Sequence, residues 1–255
     1  KFLEFTKIKM KKKAIIISIK SHKLSKREIN LLADEKPWGL ILFKRNIKTL
    51  DQIKKLIKKI RKVTQDSKFP IMIDEEGKTV SRLVEIINHD VSQKLFGDIY
   101  KFQPKTSIAI YKSYINNLCK LFRNIGININ TVPVLDVLRK STSKIIGVRS
   151  FSNQADIVKK LGNICVEQYN LNKIGTVIKH IPGHGCASLD SHLKLPKVKL
   201  SINDLNKIDF SPFKSNVSKF AMTAHILYQN IDNTNVATFS KKIIFDIIRK
   251  KIKFK

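Results

Sequence analysis

The chain is predicted to be an α/β protein of (β/α)8 TIM-barrel type, incomplete, with six strand segments in its 255 residues. Short β-like runs alternate with amphipathic helical patterns along the whole chain, and no low-complexity linker interrupts them. Such alternation implies parallel strands joined by helical crossovers, in a doubly wound sheet or a barrel. Polar groups mark the carboxyl ends of several different strands: Asp74-Glu75-Glu76, Asp136, the histidines after Ile178, and His225. That distribution fits a barrel, whose site is assembled from many strand ends. Neither G-x-G-x-x-G nor G-x-x-x-x-G-K-[ST] occurs, which weighs against nucleotide-binding sheets.

The strand segments are Ala14 to Ile19, Gly39 to Phe43, Pro70 to Asp74, Ile127 to Val134, Gly175 to His180 and Phe220 to Ile226. Each is a short apolar run bounded by turn or polar residues. Between the second and third, Leu50, Ile53, Ile57 and Ile60 recur at helical spacing, while Lys54, Lys55, Lys58 and Lys59 take the other side. Thr49 with Gln52 is expected to form a capping box at the start of this helix. Tyr111, Ile115, Leu118 and Phe122 mark a second helix, Ile157, Leu161, Ile164 and Cys165 a third, and Ser240 to Lys251 a last helical stretch. These stripes are core and carry no function.

Hydrophobic content of 42% without a long apolar run points to a soluble globular protein and no membrane association. Three cysteines, Cys119, Cys165 and Cys186, do not make a disulfide framework, and a reducing, cytoplasmic setting follows. Lys11-Lys12-Lys13 before Ala14-Ile15-Ile16-Ile17 imitates a signal peptide, but Lys20 stops the run and no cleavage site follows. The domain is expected over 14–255, with 1–13 a disordered or non-native extension and Met10 the natural start. The net charge of +30 would suit nucleic acid, yet the lysines are spread over polar helix faces and no recognition motif appears. No specific nucleic-acid partner is expected.

Chemistry concentrates in Lys179-His180-Ile181-Pro182-Gly183-His184-Gly185 and Leu189-Asp190-Ser191-His192, directly after the apolar run Ile174 to Ile178. Pro and Gly force a loop at the strand's carboxyl end, and five ionisable side chains fall on it. His180 and His184 have the i, i+4 spacing of a zinc helix, but Pro182 and Gly183 between them deny a regular helix. No metal and no cofactor are expected. Cys186 near a histidine lacks any oxyanion-hole signature, and a thiol nucleophile is set aside. Asp190 and His192 offer a mechanism: the aspartate can hold the imidazole in one tautomer and stabilise its protonated form, ready to protonate a leaving group.

The 179–185 and 190–192 segments closely resemble the K-H-F-P-G-H-G…D-S-H signature of bacterial β-N-acetylhexosaminidases of glycoside hydrolase family 3. Gly39 to Asn46 resembles the family's first barrel-strand segment, and Ile73-Asp74-Glu75-Glu76-Gly77-Lys78 its I-D-Q-E-G-G motif, with Arg82 downstream. Pro133 to Val137 matches P-V-L-D-V, and Arg149-Ser150-Phe151 matches R-S-F. Met222-Thr223-Ala224-His225 and Ala237-Thr238-Phe239-Ser240 match M-T-A-H…A-T-L-S. The likeness runs in order over nearly the whole chain. Lys78 stands at a family glycine, where a lysine is expected to be strained, and Val148 replaces a polar residue before R-S-F.

The resemblance implies a retaining glycosidase that removes terminal β-linked N-acetylglucosamine, from muropeptides in cell-wall recycling. It implies His192 as acid/base supported by Asp190, and Asp74, Arg82, Arg149, Lys179 and His180 as residues that hold the sugar. The partners implied are N-acetylglucosamine-containing saccharides or muropeptides, with oligomeric state left open. The family's nucleophile is an aspartate of an S-D-D motif on the strand after the Ile243 to Phe254 region. This chain ends before that strand, and Asp232 and Asp246, the nearest carboxylates, are not in that motif. The 255-residue chain is therefore expected to be inactive as it stands. A sugar-binding remnant without catalysis, or a decayed gene product, is the competing reading, and a basic nucleic-acid-binding protein is a third.

Overall fold

A computed structural model of the chain describes residues 12–88, 90–189 and 195–255. Its main sheet contains β1 (Lys13–Ile17), β2 (Pro37–Leu42), β3 (Ile71–Ile73), β4 (Ile129–Asn130), β5 (Gly175–Ile181) and β7 (Phe220–Thr223), in that spatial order. Every neighbouring pair is parallel. These are the six segments expected from the apolar runs. Parallel neighbours require crossovers, supplied by α1 (Lys26–Asp34), α2 (Leu50–Thr64), α3 (Gln93–Phe102), α4 (Pro104–Ile125), α5 (Ala155–Leu171) and α6 (Ile202–Lys207). A small parallel pair, β6 (Lys197–Val198) with β8 (Leu227–Tyr228), had no signal in the sequence.

The sheet is curled into a half-barrel. Three strands separate β2 from β7, so a flat sheet would hold them about 19 Å apart at ordinary strand spacing. Instead the rings of Trp38 and Phe220, one on each strand, lie with centroids 5.3 Å apart. Together with Ile41 and Met222 they cover a small cluster of Met72, Ile129 and Val177 on the inner face. Alternate residues such as Ile71 and Ile73 point the other way, into the large core shared with the helices. Among the described residues β1 and β7 form the edges of the sheet, and Ile15 and Ile16 of β1 stand exposed.

The helices follow the periodicity of their sequences. In α2, Ile53, Leu56, Ile57 and Ile60 are buried. Thr49 Oγ1 accepts the Gln52 N–H as expected, but the reciprocal half of the capping box is displaced. Gln52 Oε1 accepts from the Lys48 N–H, while its amide donates to the carbonyls of His22 and Asn46. The side chain is drawn to the preceding loop because that loop has carbonyls to satisfy. The last helical stretch is a π-helix over Ile243–Lys251, with Ile243, Ile247 and Ile248 buried. No helix among the described residues is long and apolar enough to cross a membrane.

Lys78 is not strained. The left-handed backbone value falls on Gly77, at φ 130°, and Lys78 is not among the positive-φ residues. Its N–H donates to Val91 O at 2.7 Å and its ammonium reaches Asp90. One glycine of the pair therefore suffices for the turn.

Gly97 in α3 allows a very close approach of two segments: a Cβ there would lie 1.8 Å from the Phe151 carbonyl oxygen. Helix propensity alone would make Gly97→Ala stabilising by about 1 kcal/mol. The clash reverses the sign, and a net loss of roughly 1–3 kcal/mol is expected in urea unfolding. An unchanged or raised midpoint would show that α3 does not pack on Phe151 in this way.

Candidate active-site cleft

The carboxyl ends of β3, β4 and β5 converge on one buried cation. Lys179 is 2% exposed, and its ammonium lies 3.1 Å from Asp74 Oδ1 and 2.5 Å from Glu76 Oε1. It also donates to Thr131 Oγ1 at 3.1 Å, and the Thr131 hydroxyl in turn donates to Asp74. Arg149, on the 3-10 turn at Gly147–Arg149, grips Glu76 with two parallel bonds of 2.7 and 2.9 Å. Arg82 approaches the other oxygen of Asp74 at 3.4 Å. Two carboxylates and three cations thus interlock around a cavity of about 370 Å³, which Val80, Ile145 and Met222 also line.

The arrangement is close to charge-balanced, and each charge depends on its neighbours. Burial alone would raise the carboxyl pKa values of Asp74 and Glu76. The partners together outweigh burial: Lys179 with Thr131 and Arg82 at Asp74, and Lys179 with Arg149 at Glu76. Asp74 is held down to about 2. Fixed donors and acceptors around a small polar cavity suit an uncharged polyhydroxylated ligand, whose hydroxyls can both give and accept hydrogen bonds.

Asp136 organises the neighbouring loop. It is fully buried, and its Oδ2 lies 2.7 Å from His180 Nδ1. Its Oδ1 accepts the backbone N–H groups of His180 at 3.3 Å and His184 at 2.6 Å. Burial would raise this carboxyl, but the imidazole charge and these donors bring it down to about 2. His184 is buried beside His180, ring centroids 5.6 Å apart, and burial lowers its pKa. Gly185 presses on the β4 loop so closely that a Cβ would sit 1.8 Å from Val137 O. Tyr228 Oη caps the Gly183 carbonyl at 2.6 Å. The peptide joining Lys179 to His180 is cis. A second cavity of about 120 Å³, lined by His184, Thr223 and His225, opens beside the first across Ile145 and Met222.

The structure brings Asp74, Arg82, Arg149, Lys179 and His180, all named from the sequence, to one cleft. Asp190 and His192 lie outside the described residues. Glu76, Thr131, Asp136 and Gln93 had not been assigned to it. Gln93 is 4% exposed and bonds the Val134 N–H and C=O and the Arg149 carbonyl, fixing the arginine's backbone. Position at a strand end was the available signal for Glu76 and Asp136; Gln93 gave none. Cys186 is buried, and desolvation pushes its thiol well above the ordinary range, unlike a nucleophile. Asp232 is committed to Ser240 and to the backbone of Thr234 and Asn235, and Asp246 to Lys250. Neither lines the cleft.

The sequence profile of the glycosyl hydrolase family 3 N-terminal domain matches residues 5–255. The chain belongs to this family. It is 32% identical over 232 residues to beta-hexosaminidase A of Pseudoalteromonas piscicida, which covers 83% of the chain but 38% of that protein. The crystal structure of native NagZ from Neisseria gonorrhoeae superposes with a TM-score of 0.89 at 28% identity, covering 96% of the chain and 71% of NagZ. NagZ from the same organism in complex with N-trifluoroacetyl-D-glucosamine gives 0.87 at 27% identity, over 95% of the chain and 72% of the relative. The chain spans well under half of the first relative and nearly three quarters of the NagZ structures. The half-barrel is the glycosyl hydrolase family 3 form of the (β/α)8 architecture.

Lys179→Met should leave Asp74 and Glu76 buried without their common partner, at a cost of about 3–5 kcal/mol near neutral pH. In the parent, the Asp74 and Asp136 carboxyls sit at about 2 against an ordinary 3.8. Each depressed value contributes roughly 2 kcal/mol, fully present above about pH 4 and lost as pH falls toward 2. The gap between Lys179→Met and the parent should therefore narrow as acid protonates the stranded carboxylates. Urea unfolding at pH 7 and pH 3 checks both points. Equal stability at pH 7 would contradict the buried triad.

Proposed function

We propose that the chain forms the sugar-binding and acid/base part of a retaining β-N-acetylhexosaminidase that removes terminal β-linked N-acetylglucosamine, with peptidoglycan fragments as natural substrates. The observation that carries this reading is the interlocked cluster of Asp74, Glu76, Arg82, Arg149 and Lys179 around one small polar cavity, in a member of glycosyl hydrolase family 3. In this reading Asp74, Arg82, Arg149, Lys179 and His180 hold hydroxyls and the acetamido group. Such sites reject analogues lacking a hydroxyl, because their own polar groups would be left unpaired. The relatives named beta-hexosaminidase, and the NagZ complex with an N-acylated glucosamine, support the substrate class. A cytoplasmic setting accords with three unpaired cysteines.

Asp190 and His192 act as the acid/base pair. The imidazole protonates the departing glycosidic oxygen, then deprotonates the water that releases the sugar. A second reading, sugar binding without turnover, is favoured by one feature. The two carboxylates that line the cleft are tied to Lys179, Arg149 and Arg82, which suits them to hold a sugar and blunts them as nucleophiles.

The test uses this chain continued by the part of the Neisseria gonorrhoeae NagZ chain that lies beyond the matched region. His192→Ala should lower turnover of a natural disaccharide by about 10²–10⁴, and much less for glycosylation from an activated aryl leaving group, which needs little protonation. His184→Ala, which removes a buried imidazole from the loop, should lower stability or binding without that leaving-group dependence. Equal losses for both variants on both substrates would overturn the acid/base assignment. A parent chimera that binds N-acetylglucosamine without any turnover would favour the second reading.

A further inference from the structure

An open surface groove of about 670 Å³ lies at the opposite end of the sheet, where the loops after α2 and α4 lead into β3 and β4. Five cations line it, Lys54, Lys58, Arg61, Lys62 and Arg123, and no aspartate or glutamate does. We propose that this groove is a binding site for a small multivalent oligophosphate anion.

The charge pattern is costly without a ligand. Lys54, Lys58 and Lys62 form an i, i+4, i+8 row on one face of α2, and like charges at that spacing weaken a helix. Among the described residues, none of the five lies within ion-pair distance of a carboxylate. A minority of exposed lysines elsewhere do find one, as in Lys44 with Glu85, Lys78 with Asp90 and Lys94 with Asp98. Asp66, the acid nearest in charge to Arg61, is engaged by Lys12. Cations in a last helical turn are favoured by the helix dipole, which accounts for Arg61, Lys62 and Arg123. Lys54 and Lys58 sit before that turn, where the effect has faded.

The two arginines are fixed in place. Arg61 Nη2 donates to Gly126 O at 2.7 Å, and Arg123 Nη1 donates to the Asn172 carbonyl and side-chain oxygens at 3.1 and 2.9 Å. Guanidinium groups anchored on one side keep further donors for a phosphate on the other. Five converging charges call for a multivalent anion rather than a single monovalent ion. No aromatic ring lines the groove, so it has no platform for stacking bases, which single-stranded nucleic acid binders use. The cleft at the other end, with carboxylates interlocked among its cations, offers no comparable attraction.

Calorimetric titration of the 255-residue chain with inorganic tripolyphosphate, at about 0.15 M ionic strength so that diffuse charge is screened, tests the site. Saturable binding of one anion per chain is expected. Lys54→Gln/Lys58→Gln/Lys62→Gln should weaken it at least about tenfold, whereas Lys26→Gln/Lys160→Gln/Lys199→Gln, with the same loss of charge, should change it less than about twofold. Amide shifts in the parent should cluster at Asn124, Ile125 and Gly126, a readout that does not depend on the variants' folding. Equal weakening by both triple variants, a non-saturating response, or tighter binding of a single-stranded oligonucleotide than of tripolyphosphate would overturn the proposal.

Discussion

A buried ammonium imposes the central constraint on this half-barrel. Lys179 sits at the end of β5 with 2% of its surface exposed, and an isolated charge at such a depth would not be tolerated. Its compensation comes from Asp74 and Glu76 after β3 and from Thr131 after β4. Three neighbouring strand ends are thereby held in one relative position. Parallel pairing joins β3 to β4 and β4 to β5 through two residue pairs each, and Val134, beyond β4, adds a bridge to Lys179 itself. The charge cluster adds to this backbone pairing at the carboxyl end of the sheet. Arg149 extends the same network to the loop beyond Asp136 through Glu76.

Asp136 performs the parallel task for the histidine loop. One fully buried carboxylate takes up the His180 ring and two backbone N–H groups, so the loop after β5 is fastened to the loop after β4. Ser150 Oγ, next to Arg149, donates to the Asp136 carbonyl at 2.6 Å. The two networks meet there. Function and folding are not separable at this end of the sheet, since the groups that face the cleft are also those that close the loops.

The fold was legible because its signals are local. Six short apolar runs with turn residues at their ends became the six strands of the sheet, and the stripes over Leu50 to Ile60, Tyr111 to Phe122 and Ile157 to Cys165 became helices. The β6–β8 pair was hidden because two-residue strands carry no periodicity. Gln52 was read as half of a capping box, but loop carbonyls compete for its side chain. Lys78 was expected to be strained because a motif was read position by position, while the backbone places its left-handed residue at Gly77. In the cleft, motifs located Asp74, Arg82, Arg149, Lys179 and His180. The bonds of Glu76 to Arg149 and of Gln93 to Val134 and Arg149 span 41 to 73 residues, and one sequence gives no sign of such pairings. The charge of +30 looked spread along the chain; α2 already holds four of the groove's cations, and the fold brings Arg123 of α4 beside them.

The central claim is that the Lys179 cluster is a receptor for an N-acylated amino sugar. Fluorine NMR of N-trifluoroacetyl-D-glucosamine, titrated with the chain, tests it without requiring turnover. A saturable shift or broadening of the trifluoroacetyl resonance is expected, lost in an Asp74→Asn chain whose circular dichroism is unchanged. A resonance that stays sharp and unshifted at excess protein, or responds equally to Asp74→Asn, would contradict the account.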